Sequence, residues 1–275
     1  MPIQHPVANG DSSIRNDDGG KVITILVTGF GPFQEKFPVN PSYEIARSLP
    51  QTLPRGRHDK ATIHIIGYAS PIRVCYEDAR KLLPPLLESY GKTVDVVLHI
   101  GMASGRQYYT AERYGHRDGY ARNKDVDGRL PPYDEPQAVF GDCPTKMETS
   151  LDFDDVVKKW QSAVLQIPDA SPAHGAVCRP SEDAGRFLCD YTYFNSLAWY
   201  GRRSGKLEGG ERNDRPVLFL HVPAESDEVG LERGRGVAIA LVRAMVESYL
   251  ASGELRGCSE TNSEMCARHV TLSCP

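Results

Sequence analysis

Val94–Ile100, VDVVLHI, closed by Gly101, is the stretch that decides the fold. It is short, rich in β-branched residues and bounded by a glycine, which marks a strand buried on both faces. Val22–Thr28 (VITILVT, ended by Gly29) and Val217–Val222 (VLFLHV, stopped by Pro223) read the same way. Ala61–Tyr68, with Ile63, Ile65 and Ile66, adds a fourth strand. Helical patterns lie between these runs. Asn40-Pro41 supplies an N-cap and a proline for the first helical position, so a helix is expected to about Leu49. Ser70-Pro71 predicts another, with Val74, Ala79, Leu82 and Leu83 on one side, ending at Pro84-Pro85. Leu151–Leu165 places Phe153, Val156, Val157, Trp160 and Val164 at helical spacing, and Gly230–Leu250 reads as a long closing helix. Strands that alternate with helices imply an α/β fold, a mainly parallel sheet covered on both faces. Arg122–Thr149 and Arg202–Pro216, rich in Pro and Gly, read as long loops or insertions.

Working outward, residues 1–20 and 252–275 are polar and without periodicity, and are expected to be flexible extensions. Residues 21–251 then form one catalytic-sized domain. The 32 basic and 36 acidic residues leave a formal net charge of −4, which offers no electrostatic footprint for nucleic acid. The N-terminal stretch has no apolar core of a signal peptide. The longest apolar run, near Val237–Val246, is interrupted by Arg243 and is too short to span a bilayer. Asn40-Pro41-Ser42 is disqualified as a glycosylation site by its proline. The expectation is a soluble cytoplasmic protein with reduced thiols and no membrane partner.

Seven cysteines, an odd number, cannot all pair within one chain: Cys75, Cys143, Cys178, Cys189, Cys258, Cys266 and Cys274. None shows the close spacing of a zinc ribbon, and no metal or cofactor is expected. In a parallel sheet, sites gather at the carboxyl ends of strands. That rule nominates Thr28-Gly29-Phe30-Gly31-Pro32-Phe33, the segment Gly101 to Arg113 with Glu112, and His221. The glycine loop lacks the third Gly of a dinucleotide fingerprint, and Phe30 and Phe33 suit a flat neutral ligand or simply a buried turn. If Asp190 opens a helix, Cys189 lies at its N-terminus, where the dipole favours thiolate and free N–H groups face an oxyanion. A thiol nucleophile needs a base, and a base needs an orienting acid, which His221 and Glu112 can supply. Each has a plainer reading: a packed cysteine, a structural histidine, a solvated loop carboxylate.

At these residues the chain resembles the pyroglutamyl peptidase I family, in its eukaryotic-type branch. The motifs are Thr28 to Phe33 with Asn40-Pro41-Ser42, then Ala111-Glu112-Arg113, Ser181 to Asp190, and Phe219-Leu220-His221-Val222-Pro223. Gly115-His116, Gly119-Tyr120 and Cys189-Asp190 look like the eukaryotic branch. The resemblance implies a single-domain, three-layer α/β/α sandwich with a twisted, mainly parallel mixed sheet. It implies a cofactor-free cysteine peptidase that cuts after an N-terminal pyroglutamate through a thioacyl-enzyme. Cys189 would be the nucleophile, His221 the base and Glu112 its orienting partner. Phe30, Phe33, Phe187 and Leu188 would line the lactam pocket, with Asn40 beside it and Arg122 close to the triad. Peptides with N-terminal pyroglutamate are the expected partners, of a monomer or weak homo-oligomer. A silent relative that binds blocked peptides, or another small-ring amide hydrolase, are the alternatives.

Overall fold

Alternation along three apolar strands builds the centre of the molecule. A computed structural model describes residues 21–33, 35–56 and 60–268, with side chains to residue 252. β1 (Lys21–Thr28), β4 (Val96–Met102) and β9 (Val217–Val222) lie side by side at the middle of a seven-stranded sheet. β3 (Ala61–Gly67) and the short β2 (Thr52–Leu53) extend it beyond β1; β5 (Tyr109–Glu112) and β8 (Cys178–Ser181) extend it beyond β9. β1 runs parallel to β3 and β4, β4 to β9, and β5 to β8. β2–β3 and β5–β9 are antiparallel, so the sheet is mixed but mainly parallel, as the sequence implies.

Two cores, one on each face, explain why these strands read as continuous apolar runs. Ile23, Ile25 and Val27 of β1, Val96, Leu98 and Ile100 of β4, and Leu218, Leu220 and Val222 of β9 point to one face. There they meet α1 (Pro41–Ser48), α4 (Phe153–Leu165) and α6 (Glu228–Arg268). Leu26, Val97, Val217 and Phe219 point to the other face, toward α2 (Tyr76–Tyr90) and α5 (Leu188–Ser204). Successive side chains on a strand face opposite ways, so both sets must be apolar when helices cover both faces. The five α4 residues picked out by spacing are all buried, and Trp160 Nε1 donates to the Val237 carbonyl of α6 at 3.1 Å. No described helix is long and apolar enough to cross a membrane.

The structure corrects several boundaries. α2 starts at Tyr76, not near Ser70, because Ile72 is held as an isolated parallel bridge to Phe30. It also runs through Pro84 and Pro85, which face solvent, while Leu83, Leu86 and Leu87 are buried on the inner side. Burial of that face outweighs the hydrogen bonds that the two prolines forfeit. Residues 122–149 are not one loop: they contain α3 (Glu135–Phe140) and β7 (Lys146–Glu148), the latter paired with β6 (Tyr114–His116). Cys178 opens β8. The backbone of α6 continues to Arg268, well past Leu250, through a stretch without proline. Residues 1–20, expected to be an extension, and 269–275 lie outside the described residues.

Candidate active site

The carboxyl ends of β1, β4 and β9 bring the nominated segments together. Gly101 of β4 stands in register with His221 of β9. A Cβ on Gly101 would lie 2.8 Å from Cys189 Sγ and 2.7 Å from Phe219 Cζ. Only glycine lets the thiol approach the strand this closely. Cys189 is the second residue of α5, whose N-cap Phe187 offers no side-chain hydrogen bond. The first-turn N–H groups of a helix have no intrahelical acceptor, so they and the helix dipole surround the half-buried thiol. α5 is tied to the sheet by the fully buried His99, whose Nδ1 lies 2.7 Å from Thr28 Oγ1 and Nε2 2.9 Å from Ser196 Oγ. Burial pushes the His99 pKa down to about 3, so it is a neutral cross-brace.

Glu112 lies on β5, between β9 and β8, and is fully buried rather than a solvated loop carboxylate. The period of two puts Thr110 and Glu112 on one face of β5, as it does Phe219 and His221 on β9. Glu112 therefore reaches His221 diagonally across the antiparallel pair, with Oε1 2.8 Å from Nδ1. The same oxygen accepts from Thr110 Oγ1 at 2.9 Å and from Arg106 Nη1 at 2.6 Å. Burial alone would raise the Glu112 pKa, but the hydrogen bond and charge of His221, then Ser181 and Arg106, bring it below the usual carboxylate value. His221 is 3% exposed. Burial would lower its pKa. Attraction to Cys189 and to Glu112, with the 2.8 Å bond to Glu112, outweighs that and raises it to about 9. The Phe219 ring packs on His221 at 4.9 Å between centroids.

The aromatic wall is assembled by the loop after β1. Asn40 Nδ2 donates to the Gly31 carbonyl at 2.8 Å, and its Oδ1 accepts from the Ser42 N–H at 3.1 Å as the N-cap of α1. Ser42 Oγ accepts from the Phe30 N–H at 3.0 Å. Both the nitrogen and the oxygen of the Asn40 side-chain amide are thus engaged in shaping this loop. Phe30 is buried against Phe219, with centroids 6.2 Å apart. Phe33 and Phe187 are half-buried, 6.0 Å apart, and leave ring surface beside the thiol's helix end. Leu188 is 1% exposed and packs into the core beneath, so it supports the wall rather than lining it. Arg122 is exposed on the turn Tyr120–Arg122 and makes no hydrogen bond to Glu112, His221 or Cys189. Arg106, which the sequence reading passed over, holds the carboxylate instead. The signal available was the need of a buried acid for a cation.

A family model described as Pyroglutamyl peptidase matches residues 23–253. The chain belongs to the pyroglutamyl peptidase family. It is 29% identical over 247 residues to the human protein named Pyroglutamyl-peptidase 1, covering 89% of this chain and 97% of that one. It is 28% identical over 199 residues to the Pyrrolidone-carboxylate peptidase of Bacillus subtilis, covering 72% of this chain and 77% of the relative. A solved variant of the pyrrolidone carboxyl peptidase of Pyrococcus furiosus superimposes with a TM-score of 0.60 at 24% identity, covering 82% of this chain and 99% of that one. That likeness shows the fold, the α/β sandwich described above.

In this pyroglutamyl peptidase family member the other described thiols are poor nucleophiles. Burial pushes Cys143 up to about 11 and Cys178 up to about 12, and Cys75 is raised as well, chiefly by burial. Cys258 and Cys266 lie on the backbone of α6 beyond the described side chains, and Cys274 outside the described residues. Among the described residues, one acidic group has metal-like spacing: His116, Asp183 and Asp190, with ligand atoms within 4.8 Å of one another. Arg186 already donates to Asp183 at 2.6 Å and to Asp190 at 3.0 Å, so a guanidinium supplies the counter-charge there. The His116 N–H donates to Asp190 Oδ1 at 2.9 Å. Arg186 has φ +50°, the one non-glycine residue with positive φ among those described.

Proposed function

We propose that this chain is a cysteine peptidase that removes N-terminal pyroglutamate from peptides, with Cys189, His221 and Glu112 as its catalytic groups. The observation that carries the assignment is the buried 2.8 Å bond between His221 and Glu112 beside a thiol at the start of α5. The Cys189 thiolate attacks the pyroglutamyl carbonyl carbon and forms a C–S bond. Charge developing on the carbonyl oxygen falls beside the first-turn N–H groups of α5. The His221 imidazolium gives its proton to the departing amine nitrogen as the C–N bond breaks. A water molecule, losing a proton to His221, then attacks the thioester and releases pyroglutamate, and the sulfur leaves as thiolate. Glu112 holds the imidazole in place and stabilises its cation. All of these steps use the chain's own groups and water.

The substrate fits the wall. Pyroglutamate has no charged α-amine, so a pocket for it needs no carboxylate. The ring surfaces of Phe33 and Phe187 suit a neutral five-membered lactam. Residues 21–251 form the catalytic unit on this reading, acting as a monomer or weak homo-oligomer in the reducing cytoplasm. The test is release of a chromophoric amine from a pyroglutamyl amide, beside prolyl and alanyl controls. Selective cleavage of the pyroglutamyl compound is expected. Folded protein that cleaves none of the three overturns the assignment.

A further inference from the structure

Three donors converge on a single oxygen of Glu112. His221 Nδ1 and Arg106 Nη1 lie 2.8 and 2.6 Å from Oε1, and Thr110 Oγ1 lies 2.9 Å away. Arg106 also donates from Nη2 to the Asp183 carbonyl at 3.1 Å. Its guanidinium thus ties the segment between β4 and β5 to the loop that leads into α5. The side chain is 24% exposed while Glu112 is fully buried, so Arg106 closes the solvent side of the carboxylate. A hydroxyl in its place would position the acid without changing its charge. A guanidinium changes both.

We propose that Arg106 is a positioning residue of the Glu112–His221 pair: it fixes the carboxylate by its shared oxygen and offsets part of its charge, so that the imidazolium formed at His221 releases its proton readily. The inference rests on the peptidase reading above. The groups that face the pair are few. Glu112 is bonded to Thr110 on its own strand, Arg106 from the β4–β5 segment and His221 from β9; Ser181 of β8 stands in register with it, and Tyr193 of α5 feels its charge. His221 meets Glu112 and, from α5, Cys189. Among these, Arg106 is the fixed positive charge. The two donor nitrogens share one acceptor, so the guanidinium and the imidazolium are like charges at close range. Like charges disfavour each other, which makes His221 a stronger acid than Glu112 and Cys189 alone would leave it. A stronger acid protonates the leaving amine more readily.

The test reads His221 directly, in protein carrying ¹³C-labelled histidine, by the NMR titration of the resonance missing from His221→Gln. Arg106→Met should raise the His221 midpoint by about one pKa unit. It should lower kcat for a pyroglutamyl amide about tenfold with little change in KM. Arg106→Lys, which keeps the charge, should restore the midpoint. Should Arg106→Met fail to fold, Arg106→Gln carries the same expectation. A midpoint that stays put or falls in folded charge-removing variants overturns the proposal. The titration needs no turnover, so failure of the unmodified protein to cleave pyroglutamyl substrates would count against the peptidase reading alone.

Discussion

Replacing Glu112 by Gln removes one charge from the candidate site and little volume. In the native protein Oε1 stands 2.8 Å from His221 Nδ1, and both groups are shielded from water. Opposite unit charges about 4 Å apart attract by roughly 4 kcal/mol at an effective dielectric of about 20. One pKa unit corresponds to about 1.4 kcal/mol, so the full loss would move His221 down by up to about three units. Arg106 already offsets part of the carboxylate charge, and Cys189 continues to hold the imidazolium. A fall of one to two units from about 9 is therefore expected, read as the alkaline limb of kcat/KM for a pyroglutamyl amide. Gln still accepts from the imidazole N–H, so turnover should fall by about 10²-fold rather than vanish. The sign also governs stability. A histidine whose folded pKa lies above its ordinary value of 6.5 stabilises the fold fully below about 6.5, and the contribution is lost as pH rises through about 9. Glu112→Gln should flatten that dependence in melting curves. An alkaline limb that stays near 9 in folded Glu112→Gln would show that the carboxylate does not set the imidazole's charge. The expected shift is opposite in sign to that of Arg106→Met, which separates charge effects from general loosening of the site.

Other consequences follow from individual contacts. Cys189→Ser should abolish turnover by at least about 10³-fold, while Cys75→Ala leaves kcat/KM within about threefold, since the Cys75 thiol is turned to Asp127 and bonds to neither His221 nor Glu112. Gly101→Ala places a methyl group 2.8 Å from Cys189 Sγ and should cut kcat far more than it lowers Tm; equal activity would contradict the close approach. Asn40→Ala removes the cap of α1 and the hold on Gly31, and should cost about 1–3 kcal/mol in denaturant unfolding and raise KM.

The strands that carry the site were legible because they are covered on both faces. VITILVT, VDVVLHI and VLFLHV need no alternation to be recognised, since either face of the sheet meets a helix layer. The start of α1 was legible from Asn40-Pro41, and the place of Cys189 at a helix end from the residues that follow it. β5 and β8, YTAE and CRPS, were not legible: both are four residues long and mixed in polarity. They become strands because β5 pairs with β9 and β8 in turn with β5, which satisfies their backbone groups.

The sequence by itself determined the fold class, the carboxyl-end location of the site and, with the family's motifs, the identity of the three candidate catalytic groups. Local pattern and motif suffice for these, because each depends on a residue and its near neighbours. Tertiary structure alone decided that Glu112 is buried, that its oxygen meets an imidazole 109 residues away, and that Arg106 rather than Arg122 stands against it. It also decided that Leu188 belongs to the core and that Gly101 leaves room for the thiol. The physical reason is that a charge buried without a partner is too costly to persist, yet the cost is the same whichever cation relieves it. The chain's path through space, not its local composition, selects the one that does.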